Sequence, residues 1–118
     1  FADIPDCTLN ITPSSSSNKY LATFSAYITT VLAGSHNQQT KIKILLDGNT
    51  ISGQQNFAAE SASGGLQWKG SANIRDFGTF GNTNQRTFKV QMAANRTEST
   101  VYIYNPTLIV MEFAAWQI

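Results

Sequence analysis

KIKILLDGNTIS (residues 41–52) settles the structural class of this chain before anything else is read. Lys41 and Lys43 alternate with Ile42, Ile44 and Leu46, and a period of two puts the charged and apolar sets on opposite faces of a strand. One wet face and one dry face describe a half-buried antiparallel strand. Asp47 and Gly48 follow at once. An Asp-Gly pair between apolar runs is a strong hairpin signal, because the turn needs positive φ and glycine adopts it without steric cost. The chain then returns through ISGQQNFAAES (51–61), with Ile51 and Phe57 as expected core anchors.

The same alternation extends in both directions. Upstream, YLATFSAYITTVL (20–32) places Tyr20, Ala22, Phe24, Ala26, Ile28, Thr30 and Leu32 on an expected buried face. Thr23, Ser25 and Thr29 fall on the other face, with Leu21, Tyr27 and Val31 among them. TLNITP (8–13) reads as the first strand, closed by Pro13 and the turn run 14–18. Downstream, LQWKGSANIRDF (66–77) is a strand or strand pair weakened at Gly70, and GTFGNTN (78–84) is a turn-rich loop. RTFKVQMAA (86–94) alternates Phe88, Val90 and Met92 against Thr87, Lys89 and Gln91. TVYIY (100–104) is a strand, and Asn105-Pro106 is expected to turn the chain once more. A sustained helical period is missing throughout, although NFAAESA (56–62) could make one turn. About eight to ten short strands with regular turn signals predict an all-β, two-sheet antiparallel sandwich of the jelly-roll kind. At 118 residues the whole chain, 1–118, is read as a single domain.

Composition narrows the function classes. Charged residues make up 13% of the chain, about half the usual share near 25%. Ser, Thr, Asn and Gln fill the gap, and this neutral polar surface suits an extracellular or virion-surface β-protein. Net charge is +1, with the basic residues scattered rather than striped, which argues against nucleic acid as a partner. No apolar run approaches the length of a bilayer-spanning helix, so membrane insertion is not expected. The opening FADIPDCTLNITP lacks a charged region followed by an apolar core, so no secretory leader is expected in it. Cys7 is the single cysteine, expected as a half-buried free thiol.

NPTLIVMEF (105–113) poses the main question about assembly. As a strand it carries Leu108, Val110 and Glu112 on one face and Thr107, Ile109, Met111 and Phe113 on the other. Both faces are largely apolar, and a two-sheet domain has a use for only one of them. TVYIY repeats the problem, since Val101 and Ile103 alternate with Tyr102 and Tyr104. Without a helix to form a third layer, the second face is expected to meet another copy of the chain. Tyr102, Tyr104, Ile109, Met111 and Phe113 are therefore the expected oligomer interface. The bland alternative tucks Met111 and Phe113 under loops of the same chain.

Chemistry is sparse. His36 and Cys7 are too few for a structural zinc site, and a Cys-His nucleophile pair is disfavoured by the polar GSHNQQ setting of His36. Glu112, a carboxylate among apolar neighbours, needs either hydration at a rim or a subunit-interface cation. The carboxylates lack glycosidase-like or Ca²⁺-loop spacing, and no phosphate-cradling glycine motif occurs. Neither an enzymatic activity nor a cofactor or metal is expected. The NIT and NRT acceptor patterns, at Asn10 and Asn95, are read as chance in a chain rich in Asn and Thr. Ligand-binding candidates are Trp68, Phe80, Asn82 and Asn84, with Trp116 as a further aromatic, since a ring beside amides and hydroxyls can hold a sugar. Read singly, each Trp is more often a core or interface residue, and Phe80 a loop plug.

KYLATFSAYI, IKILLDGNTISG, RTFKVQMAA and TVYIYNPTLIVMEF occur in an order that resembles the jelly-roll domain of the tumour-necrosis-factor and complement globular-head type. More specifically, it resembles the versions at the C-terminal ends of phage tail fibres and in related bacterial proteins, with the last of these stretches as a final hairpin. That resemblance implies a homotrimer, a fibre-tip location on a virion surface or outside a cell, and recognition of a bacterial cell-surface glycan or protein. It also implies that the chain is the C-terminal head of a longer fibre protein. A purely structural trimerisation or virion-decoration module, and a secreted bacterial lectin or adhesin, are the alternatives.

Overall fold

The computed structural model of the protein describes residues 1–31, 37–52, 55–60, 67–94 and 100–117, with the backbone alone at 30, 31, 37–39, 55–60, 67–69, 94 and 100. The described residues form strands and turns and no helix. Eight strands follow in order: β1 (Ala2–Ile11), β2 (Lys19–Val31), β3 (Asn37–Leu46), β4 (Asn49–Thr50), β5 (Gln55–Glu60), β6 (Gln67–Thr79), β7 (Arg86–Ala94) and β8 (Thr100–Phe113). One sheet runs β1-β7-β3, with β4 and β5 both on the far side of β3. These two pair with consecutive stretches of β3, so the sheet is four strands wide. The second sheet runs β6-β2-β8. Every pairing is antiparallel.

The expected alternation holds where it was clearest. Tyr20, Ala22, Phe24, Ala26 and Ile28 of β2 are buried, as are Ile42, Ile44 and Leu46 of β3 and Phe88 and Val90 of β7. They meet Ala72 and Ile74 of β6 between the sheets. Val101, Ile103, Leu108 and Val110 of β8 close the core from one side. Asp47 and Gly48 take φ of 52° and 83°, as a two-residue type I′ hairpin requires.

Four expectations change. Gln55–Glu60 is a strand, because its backbone pairs with β3 along Asn37 to Ile42, so the helical turn is not made. The first strand begins six residues earlier, at Ala2, and it is irregular between Asp3 and Thr8. That irregularity, with Asp6 at φ 61°, turns both Ile4 and Cys7 into the core although they are three residues apart. Cys7 is therefore fully buried, 1% exposed, rather than half-buried. Finally, Asn105-Pro106 does not reverse the chain. Both halves of β8 pair with β2 in one continuous run, so the expected final hairpin is a single long strand.

Three antiparallel pairings, β1–β7, β2–β6 and β3–β5, are nested one inside the other, and β8 adds to the free side of β2.

Candidate functional site

The outer face of the β6-β2-β8 sheet is where the sequence leaves something unexplained, and the register says what stands on it. Phe77, Leu21 and Met111 form one cross-strand row. Arg75, Thr23 and Ile109 form the next, followed by Asn73, Ser25 and Thr107, then by Ser71, Tyr27 and Tyr104. Tyr102 lies one row further, opposite Thr29. A β-bulge makes this arrangement possible. Between Ser25 and Tyr27 the partner strand spends one extra residue, and Asn105 there takes φ 51°. One inserted residue inverts the parity of a strand. The even-numbered Tyr102 and Tyr104 thus share a face with the odd-numbered Thr107, Ile109, Met111 and Phe113.

All five expected interface residues are therefore brought onto one column, along β8. Tyr27, Phe77, Tyr102, Tyr104, Ile109 and Met111 stand between 42% and 53% exposed, and Phe113 is half-buried. The polar side chains of the face lie mostly on β2 and β6: Thr23, Ser25, Ser71, Asn73 and Arg75. The Lys19 ammonium lies 5.8 Å from the centre of the Phe77 ring, a cation–π contact at the end of the face. Around the bulge, Ser25, Tyr27, Ser71, Asn73, Tyr104 and Asn105 line a shallow depression of about 230 Å³. The Tyr27 and Tyr104 ring centres are 6.2 Å apart, and Tyr102 stacks on Tyr104 at 6.5 Å.

The expected ligand-binding residues do not come together. Phe80 is 3% exposed, its ring packed on Tyr20 at 5.4 Å and at right angles to Phe88, so it plugs the core and offers no face to a ligand. Asn82 and Asn84 are exposed, but the Asn82 side-chain oxygen accepts the Asn84 N–H at 3.0 Å and shapes its own turn. Trp68 pairs through its backbone with Thr30, eleven residues along β6 from Thr79, or about 36 Å at strand rise; its side chain lies outside those described. Trp116 is 85% exposed in the turn after β8. His36 and Asn95 also lie outside the described residues.

The perturbed ionisable groups each have a structural partner. Glu112 accepts from the Asn18 amide at 2.6 Å and from the Ser14 N–H and hydroxyl, both at 3.1 Å. The Asn18 hydrogen bond, then the Ser14 N–H, hold its carboxyl below the usual range. The turn after β1 in its own chain thus supplies the hydrogen-bond partners of Glu112, which stays exposed to water at the rim of the sheet. Desolvation pushes the Asp47 carboxyl up, but the Thr87 N–H and the Arg86 guanidinium together outweigh it, and the group sits low. Burial, then a 2.8 Å hydrogen bond to Asp76, raises the Tyr20 phenol. Burial likewise raises the Cys7 thiol. Among the described residues, no three His, Cys, Asp or Glu side chains gather as metal ligands would.

No protein-family model matches the sequence, and no curated protein is significantly similar to it.

Proposed function

We propose that the protein is a non-enzymatic assembly and recognition domain, a homotrimer built through the β8 side of its second sheet and displayed at the tip of a phage tail fibre. The observation that carries this reading is β8 itself. It is the edge strand of its sheet, 14 residues long, and its outward column is Tyr102, Tyr104, Thr107, Ile109, Met111 and Phe113. Long apolar edges invite pairing with another chain, and soluble monomers rarely leave such patches open. A second copy supplies matching apolar surface, and closed rotational symmetry is the normal outcome for like subunits. The three-fold order rests on the resemblance to fibre-tip and globular-head domains. The two-sheet antiparallel sandwich supports that resemblance. The elongated body, 54 × 22 × 21 Å, suits a fibre component.

The recognition half of the reading places a bacterial surface glycan or protein against the parts of the trimer that remain exposed. Binding of the purified trimer to host cells and to a panel of bacterial surface glycans tests it. A trimer that binds neither is a structural trimerisation or virion-decoration module. Saccharide binding by a stable monomer would instead fit a secreted lectin or adhesin.

A further inference from the structure

The depression beside the β8 column has a chemistry of its own. Two tyrosines, Tyr27 and Tyr104, line it together with the hydroxyl-bearing Ser25 and Ser71 and the amide-bearing Asn73. About 230 Å³ is below the ~300–1,000 Å³ of pockets that enclose drug-sized molecules, and it suits a single six-membered ring lying flat. Tyrosine offers such a ring a broad apolar face at small entropic cost while keeping a hydroxyl for hydrogen bonding. Tyr102 stacks on Tyr104 with an interplanar angle of 23°.

A second observation selects among sugars. Arg75 is exposed on the same face, one same-face step along β6 from Asn73, or about 6.7 Å. Among the described residues it takes part in no ion pair. The described outward positions of this sheet include no Asp or Glu, because Asp76 and Glu112 have the opposite parity. A guanidinium with no acidic side chain on its own face among the described residues, within side-chain reach of a ring-sized depression, is placed for a carboxylate, which it can hold through two parallel hydrogen bonds.

We propose that the depression formed by Ser25, Tyr27, Ser71, Asn73 and Tyr104 binds a carboxylated pyranose, with the ring against the tyrosines and its carboxylate on Arg75. The inference deepens the recognition reading above and rests on it. Tyr104 belongs to both surfaces, so the site lies at the margin of the assembly column, whereas Tyr27, Asn73 and Arg75 lie off it.

The test is an amide chemical-shift titration of the labelled protein with the methyl glycosides of galacturonic acid, N-acetylneuraminic acid and galactose. Light scattering is recorded on the same samples. The expected result is that one or both acids shift Ser25, Tyr27, Ser71, Asn73 and Arg75, and bind about tenfold more tightly than galactose. Arg75→Gln should erase that preference, and Tyr27→Ala should weaken all three sugars, with both variants keeping the native mass. Absence of shifts, shifts centred elsewhere, or an Arg75→Gln protein that still prefers the acids would each overturn the proposal. A trimer without binding removes this site and leaves the assembly reading standing. Binding by a monomer removes the trimer and leaves the site.

Discussion

Glu112 shows how a single residue ties distant parts of this chain together. Its carboxylate holds Ser14 and Asn18, the Asn18 carbonyl accepts the Phe80 N–H at 2.9 Å, and the Phe80 carbonyl accepts from Arg86. Arg86 in turn pairs with Asp47 of the hairpin. One end of the sandwich is thus laced by polar contacts over an aromatic trio of Tyr20, Phe80 and Phe88. Glu112→Gln should lower stability at pH 7 by about 1 kcal/mol, near the low end for charge-assisted bonds because the carboxylate is open to solvent. The pH dependence has a definite sign. A carboxyl held low in the folded state contributes stability above its unfolded pKa, near 4.5, and loses it as pH falls through the folded value. The gap between wild type and Glu112→Gln in urea midpoint should therefore narrow from pH 7 to pH 3. A constant gap would contradict the assignment. Gly78 lies under the Tyr20 ring, where an added Cβ would sit 2.8 Å from the ring carbon that bears the hydroxyl. The ring is fixed by its bond to Asp76, so Gly78→Ala should cost about 1–3 kcal/mol in urea denaturation. An unchanged midpoint would mean that the ring is free to move.

At the scale of elements, β8 joins the sequence to its function. Its two apolar halves were legible from alternation alone. The bulge was not. Asn105-Pro106 carries residues that favour turns, and local propensity cannot distinguish a reversal from a one-residue insertion in a continuing strand. Pairing with β2 on both sides of the bulge decides it. For the same reason the depression was hidden from sequence, since Ser25, Ser71 and Tyr104 come from three strands and meet only through register. In its Gly-rich loop Phe80 reads either as a ligand-facing ring or as a loop plug, and nothing local shows that it turns back onto Phe88. In the protomer Met111 and Ile109 are half exposed. Met111→Lys and Ile109→Lys should therefore leave the protomer folded, with near-native circular dichroism, while dissociating the oligomer through a buried unpaired charge. Retention of native mass by both variants would remove this column from the interface.

The whole molecule is longer than a compact chain of its size. Its radius of gyration is 16.5 Å, against about 13.5 Å for a typical globular domain of this length. Two narrow sheets with long strands give that shape, and they leave an elongated outer face covering much of one side. The proposed assembly along β8 would bury the apolar column over the length of the strand and keep the polar β6 side open to solvent. The measurement that tests this most directly is native mass by size exclusion with multi-angle light scattering across a dilution series. The expected mass is that of three 12.9 kDa chains, held as the protein is diluted. A monomer at every concentration would contradict it, because the β8 face would then stand open to water without a partner.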